Sequence, residues 1–257
     1  MSKRAVDLIE KLESHLLQFI RDNAVTPDEY RTATKLMIDS VKAGEESLLL
    51  DVFFEAEATD VVNQDRKSSI TAIEGPFYFP GAPLLERPYV MPQREFERGE
   101  RLTFKGTVKD IDGRPLEGAE LDMWHADAEG LYSNIHPGIP DWNLRGRFHS
   151  DSEGVFEVTT ILPPPYEIPK AGPTGQVLQL LGRHFFRPAH LHVKVSADGC
   201  EDLTSQLYFD GDEYLDSDVA NAVRDGLVLT LESDDSGHVA RYDFVLDLSR
   251  QSHLTGG

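Results

Sequence analysis

Leu102-Thr103-Phe104, with Val108 four residues on, leads into Asp112-Gly113-Arg114-Pro115 and then Leu121 and Met123. Alternate side chains of an extended chain share a face, so this stretch reads as strand, turn, strand. Toward the C-terminus come Val155-Phe156-Glu157-Val158, Leu191-His192-Val193-Lys194-Val195, Gln206-Leu207-Tyr208-Phe209 and Tyr242-Asp243-Phe244-Val245-Leu246. Each is short, rich in β-branched or aromatic residues and bounded by Gly, Pro or Asp, and the succession predicts a β-sandwich over residues 96–257. Between Pro163 and Pro188 the chain is rich in Pro and Gly and reads as a long loop, with Gly172-Pro-Thr-Gly175 a solvent-facing turn.

Toward the N-terminus the period changes near residue 95. Val6, Ile9, Leu12, Leu16 and Ile20 recur at three- and four-residue steps, on one helical face. Thr26-Pro27-Asp28-Glu29 supplies an N-cap, a first-turn proline and acids at the positive end of a second helix, which carries Leu36, Met37 and Val41. The segment from Leu48 to Phe54, continuing to Val61 and Val62, is apolar around most of its circumference and is expected to be buried between partners. Glu74-Gly75-Pro76 to Pro92 is an ordered connector. The chain is therefore expected to be mainly β, with a helical linker domain and connector over residues 1–95 and the sandwich over 96–257.

With 45 Asp and Glu against 25 Lys and Arg, the 257 residues carry a formal charge of -20, which repels phosphate backbones and makes nucleic acid an unlikely partner. No run of roughly 20 apolar residues exists to span a bilayer, and Met-Ser-Lys-Arg leads into acidic amphipathic sequence without a signal-peptide core. The single cysteine, Cys200, cannot pair within the chain and fits a reducing compartment, so a cytoplasmic location is expected.

Chemistry is concentrated at Arg187-Pro188-Ala189-His190-Leu191-His192. Two histidines two residues apart on a strand point the same way and could bind one metal, while Leu191, Val193 and Val195 turn to the core. Two ordinary buried histidines are the competing reading. Thiolate clusters are excluded by the lone cysteine, His-Glu-x-x-His is absent, and spacing singles out no carboxylate to complete a two-His-one-carboxylate site. Gly172-Pro-Thr-Gly175 lacks a downstream Gly-Lys-Ser/Thr and is not a phosphate loop. Asp210-Gly-Asp212 and Asp216-Ser-Asp218 lack the glutamate of a calcium loop and read as solvated. Tyr78 and Tyr89 fit either pocket or packing roles, and His238 and His253 read as peripheral.

Several motifs in order resemble those of the intradiol ring-cleavage dioxygenases, and most of all the catechol and chlorocatechol 1,2-dioxygenases. They are Trp124-His-Ala-Asp-Ala-Glu-Gly-Leu-Tyr132-Ser, Asn143-Leu-Arg-Gly-Arg147, Pro165-Tyr166-Glu-Ile-Pro-Lys-Ala-Gly-Pro-Thr-Gly175 and Arg187-Pro-Ala-His190-Leu-His192, and the similarity runs from about Leu36 to Leu248. The resemblance implies that Tyr132, Tyr166, His190 and His192 are the ligands of one non-haem Fe(III) per subunit. Two tyrosinates are hard anionic donors suited to a ferric ion, and two neutral imidazoles complete the protein shell. His125, His149 and His184 lie in family motifs without a ligand role.

By the same resemblance the substrates are a catechol and O2, and both oxygen atoms enter a cis,cis-muconate. Tyr166 would be the ligand that leaves on substrate binding and takes up a catechol proton. Arg187 would stabilise negative charge developing on the ring, and Gln206 matches the family's supporting glutamine. Leu48, Asp51, Val52, Ile73, Pro76 and Phe77, with Val219 and Ala220, would line the substrate pocket. The small Val52 and Ala220 leave room for a ring substituent, as in chlorocatechol enzymes; hydroxyquinol is the rival substrate. The N-terminal helices would form a homodimer, with a phospholipid held at the interface. A different class, a non-catalytic β-sandwich dimer binding an apolar ligand through its helices, would have no need of the four ligands and Arg187.

Overall fold

The computed structural model describes residues 2–235 and 237–249; His253 lies outside them. The chain divides into two compact units, Met1–Glu46 and Ser47–Gly257. Among the described residues no helix is long and apolar enough to cross a membrane.

The first unit is helical, as its caps dictate. Helix α1 (Lys3–Asp22) starts where the Ser2 hydroxyl accepts the Ala5 N–H. Helix α2 (Pro27–Ala43) starts on a reciprocal box: Thr26 Oγ1 accepts the Glu29 N–H at 3.3 Å, and Glu29 Oε2 accepts the Thr26 N–H at 2.8 Å. It stops at Gly44, whose φ of 70° suits a residue without Cβ. Val6, Ile9, Leu12 and Leu16 form the apolar stripe read from the sequence, and all four are exposed.

Helix α3 (Glu46–Leu50) begins at the last residue of the first unit and runs, within the second, through a π-helical turn, Asp51–Glu55, into α4 (Ala56–Asn63). Burial here is one-sided rather than all round: Leu48, Leu49, Val52 and Ala56 are buried, whereas Phe54 is 64% exposed and Leu50, Val61 and Val62 are exposed too.

The strands follow as β1 (Tyr89–Val90), β2 (Arg101–Asp110), β3 (Glu120–Trp124), β4 (Arg145–His149), β5 (Val155–Ile161) and β6 (Tyr166–Glu167). After α5 (Pro173–Leu180) come β7 (Phe186–Arg187), β8 (His190–Ser196), β9 (Leu203–Phe209), β10 (Val228–Leu229), β11 (Glu232–Asp234), β12 (Gly237–Arg241) and β13 (Phe244–Leu246). One sheet has the order β1-β5-β2-β12-β11, with β13 also on β2; the other has β10-β9-β8-β3-β4; β6 and β7 form a separate ribbon. The two larger sheets share one apolar core, in which Leu102, Phe104, Phe156 and Val158 of the first meet Leu121, Met123, Leu191, Val193 and Leu207 of the second. Cys200 belongs to this core.

The period change at residue 95 and the boundary between the units differ, because residues 47–95 are tied to the sandwich. Ala72 N–H donates to Thr204 O, Met91 N–H donates to Thr159 O, and β1 pairs with β5. The stretch read as a loop after Pro163 contains β6, α5 and β7, and Gly172-Pro-Thr-Gly175 is no solvent turn: Pro173 sits in the first turn of α5, and Pro173, Thr174 and Gly175 are buried. A Cβ at Gly175 would lie 2.0 Å from Lys170 O, so only glycine allows this approach.

Candidate active site

Strand β8 builds the floor. Leu191, Val193 and Val195 fill the core, so His190 and His192 lie on the opposite face, 1% and 2% exposed. Strand pairing sets their neighbours. Trp124 of β3 stands opposite His192 and stacks on its ring at 4.6 Å and 11°. On the other side, Gln206 and Tyr208 of β9 stand opposite His192 and His190. The β6–β7 ribbon places Tyr166 opposite Arg187. Tyr132 arrives from the β3–β4 connection, where Asp127 Oδ1 accepts the Glu129 and Leu131 N–H groups and Gly130 takes a φ of 79°.

The four side chains expected to bind metal converge. His190 Nε2 and His192 Nε2 are 3.0 Å apart, and Tyr132 Oη is 3.4 Å from His192 Nε2. The Tyr166 ring lies 5.5 Å from that of Tyr132 and 5.6 Å from that of His190, between centroids. His190 Nδ1–H donates to Pro188 O at 2.7 Å, which leaves its Nε2 lone pair facing the site. His192 has a buried Nδ1 with no hydrogen-bond partner among the described residues.

The local field holds these groups in their neutral forms. Burial, then the Arg187 charge, drives His190 down to about 3, and burial with neighbouring His190 drives His192 lower than the usual imidazole range. Burial raises both phenols, Tyr132 strongly, with Arg187 opposing the rise at each. The donor set is therefore two neutral imidazoles and two phenols aimed at one point. At 3.0 Å the two Nε2 atoms can share one proton as an N–H···N bond, and a hard cation would take the place of that proton, bind both lone pairs and favour phenolates. The residues present fit a ferric ion.

Arg187 is buried and almost fully engaged. Its Nε and Nη2 donate to Asp218 Oδ1 and Oδ2, both at 3.0 Å, and Nη2 also reaches Gln206 Oε1 at 2.9 Å and the Tyr208 hydroxyl at 3.0 Å. Nη1 lies 3.5 Å from His190 Nε2, and the guanidinium also hydrogen-bonds the Tyr166 phenol. Burial opposes ionisation of Asp218, yet the guanidinium holds its carboxyl below the usual range. Gln206 Nε2 donates to Ile73 O at 2.8 Å, joining Arg187 to the connector. Asp218 is thus not a solvated loop residue.

Above the floor is a narrow cavity. Of the expected pocket residues, Leu48, Asp51, Val52, Ile73, Pro76, Phe77 and Ala220 line it, together with Tyr166, Arg187 and His192. Val219 packs behind, in the apolar cluster with Leu48 and Val52, and borders a neighbouring cleft with Phe53 and Arg183. Asp51 is the acid in this wall; burial raises its carboxyl, against a 2.8 Å hydrogen bond from Ser47. Tyr78 and Tyr89 do not line the cavity: Tyr78 donates to Asp122 and packs on Trp124, and Tyr89 donates to His149 O.

Sequence reading assigned no role to Trp124, Arg145, Tyr208, Asp218 or Glu55. Trp124 could have been found by pairing β3 with β8, whereas the burial of Arg145 and Asp218 depends on distant partners. Arg145 donates to Ser133 O and Phe77 O, next to Tyr132, and burial lowers it to about 10. Glu55, in the π turn, accepts the Glu74 N–H at 2.9 Å and holds the connector over the site.

The family model described as catechol dioxygenase N terminus matches residues 2–70, and the model described as dioxygenase matches residues 73–248. The chlorocatechol 1,2-dioxygenase of Rhodococcus opacus is 44% identical over 235 residues, covering 90% of this chain and 91% of that protein. The crystal structure of 3-chlorocatechol 1,2-dioxygenase from Rhodococcus opacus 1CP superposes with a TM-score of 0.91 at 42% identity, covering 97% of this chain and all of that one. Hydroxyquinol 1,2-dioxygenase from Pseudomonas putida DLL-E4 superposes less closely, with a TM-score of 0.85 at 30% identity over 96% of this chain and 93% of that one. Motifs, fold and relatives agree, and this chain belongs to the intradiol ring-cleavage dioxygenases, a family of non-haem iron enzymes.

Proposed function

We propose that this chain cleaves catechol and chlorocatechols between their two hydroxylated carbons, using O2. One O2 is added and nothing else is consumed: the bond between the hydroxylated carbons breaks, each becomes a carboxyl carbon, and the product is cis,cis-muconate or a chloromuconate. The observation that carries this reading is the convergence of His190 Nε2, His192 Nε2 and the Tyr132 hydroxyl, with Tyr166 beside them.

Tyr132, Tyr166, His190 and His192 would hold one Fe(III) per subunit. When bound, the ferric ion supplies Lewis acidity and an electron acceptor that make a catecholate reactive toward O2. The remaining work falls to the protein. Held as a phenolate, Tyr166 would accept a proton from the substrate at its oxygen, and Arg187 Nη1 faces the negative charge that develops on the ring. Gln206 holds Arg187 and the connector in register, and the apolar walls at Leu48, Val52, Ile73 and Phe77 exclude water.

Chlorocatechols are favoured by the relatives that match over most of the chain and by the small residues Val52 and Ala220 in the wall. Rates on catechol, 3-chlorocatechol, 4-chlorocatechol and hydroxyquinol would rank the substrates. The exposed stripe at Val6, Ile9, Leu12 and Leu16 supports a homodimer through the N-terminal helices of residues 1–95, with a phospholipid at the interface. The lone Cys200 supports a cytoplasmic location.

The test is optical and catalytic. Iron-loaded protein should absorb in the visible through tyrosinate-to-iron charge transfer, change colour with catechol, and consume one O2 per ring cleaved. Folded, iron-supplemented protein that is colourless and takes up no oxygen with any catechol refutes the reading and leaves the non-catalytic dimer.

A further inference from the structure

Asp218 is 5% exposed and carries four hydrogen bonds on two oxygens. Oδ1 accepts Arg187 Nε–H and the Ala220 N–H, at 3.0 and 3.2 Å; Oδ2 accepts Arg187 Nη2–H and the Ala222 N–H, both at 3.0 Å. One carboxylate is therefore bound at once to the cation of the site and to the backbone of its wall.

The consequence for Arg187 follows from the planarity of guanidinium. A two-point contact through Nε and Nη2 fixes the plane and its rotation, and Gln206 and Tyr208 occupy the rest of Nη2. The direction of Nη1 is then no longer free: it faces the His190 side of the cavity. The consequence for the wall is equally direct, because Ala220 lines the cavity and its N–H and that of Ala222 are held by the same two oxygens.

We propose that Asp218 is a positioning residue with two outputs: it aims Nη1 of Arg187 at the reacting ring, and it sets how far the Ala220 wall stands from the ring's substituents. Charge stabilisation and substituent selection are coupled through one side chain. This rests on the intradiol reading given above.

The test is a double-mutant cycle on iron-loaded enzyme, comparing wild type, D218N, R187M and R187M/D218N per folded, metal-bound molecule. R187M removes a preorganised donor and should lower kcat/KM for catechol about 10²-fold, mainly in kcat. D218N should lower it at least tenfold, and the double variant should be no worse than R187M alone, within about twofold. Losses that multiply in the double variant overturn the aiming role. For the wall, the 4-chlorocatechol to catechol ratio of kcat/KM should shift at least threefold in D218N and stay within twofold in R187M; a ratio unmoved by D218N overturns the second role. Should D218N fail to fold with its buried Arg187 unpaired, R187M/D218N, which buries no lone charge, is compared with wild type for the same ratio, and a ratio within twofold of wild type overturns the second role. Wild type inactive on every catechol would sink the intradiol reading itself, whereas an active wild type matched by D218N sinks only this assignment.

Discussion

Gly130→Ala tests the geometry of the site without touching any group that does chemistry. A Cβ at Gly130 would lie 2.7 Å from Tyr166 Cβ and 3.5 Å from its Cα. Carbon atoms rest at about 3.5–4.0 Å, so the tyrosine must retreat by roughly 1 Å. Alanine at a φ of 79° also carries backbone strain of about 1–2 kcal/mol. Gly113→Ala separates the two effects: Gly113 has a φ of 81°, and a Cβ there meets nothing within 4 Å. Both variants should lose similar stability from the backbone, while only Gly130→Ala displaces Tyr166. A misplacement of 1 Å at a reacting group costs about 10²-fold in rate. The expected result is a kcat/KM for catechol near wild type in Gly113→Ala and lower by about two orders of magnitude in Gly130→Ala, measured by oxygen uptake with thermal midpoints recorded in parallel. A folded Gly130→Ala enzyme within threefold of Gly113→Ala would show that the reaction does not depend on where Tyr166 stands.

Three further expectations follow from the same geometry. Tyr132→Phe should weaken or abolish the visible band and the retention of iron, since one phenolic donor is lost; a variant that binds iron with an unchanged band removes Tyr132 from the ligand set. Ala220→Leu should lower kcat/KM more for chlorocatechols than for catechol, by about 1–3 kcal/mol in discrimination, read from the ratio of specificity constants. His125 is wholly buried, and burial drives its imidazole down to about 4 while Nδ1–H donates to Ala126 O and Nε2 accepts from Thr160. As pH falls through about 6.5 the unfolded chain takes up the proton first, so stability is complete above 6.5 and declines toward pH 4 by about 3 kcal/mol. Urea unfolding of metal-free protein at pH 7.5 and 4.5 should show a smaller acid loss in His125→Asn; equal losses would contradict the assignment.

What could be read from the sequence is what local periodicity encodes. The alternation Leu191, Val193, Val195 against His190, His192 carries both the strand and the direction of the imidazoles, because a strand has two faces and the apolar one takes the core. Thr26 and Glu29 announce α2 because their box is closed within four residues. Tyr132 and Tyr166 are different: they enter from a connection and a two-residue strand, and no spacing rule relates them to β8, so only the family motifs pointed to them. The π turn was invisible because helix and π turn use the same apolar residues. Asp218 looked solvated because nothing near it in sequence neutralises it; its partner, Arg187, lies 31 residues earlier.

The charge inside the site runs against the charge of the chain. The sequence carries -20, yet the groups around the two phenols include two buried guanidiniums, Arg145 and Arg187, and one carboxylate that is paired to Arg187. Arg145 donates to backbone carbonyls and to Ser133, and among the described residues it forms no ion pair. Burial lowers its pKa only to about 10, so it stays a cation at neutral pH. Such a charge is costly in an interior unless an anion stands near, and its guanidinium carbon lies 5.9 Å from the centre of the Tyr132 ring. Its field eases ionisation of that phenol and opposes protonation of His192. A site made of anionic oxygens and neutral ring nitrogens needs both effects, and a carboxylate beside Arg145 would have cancelled them.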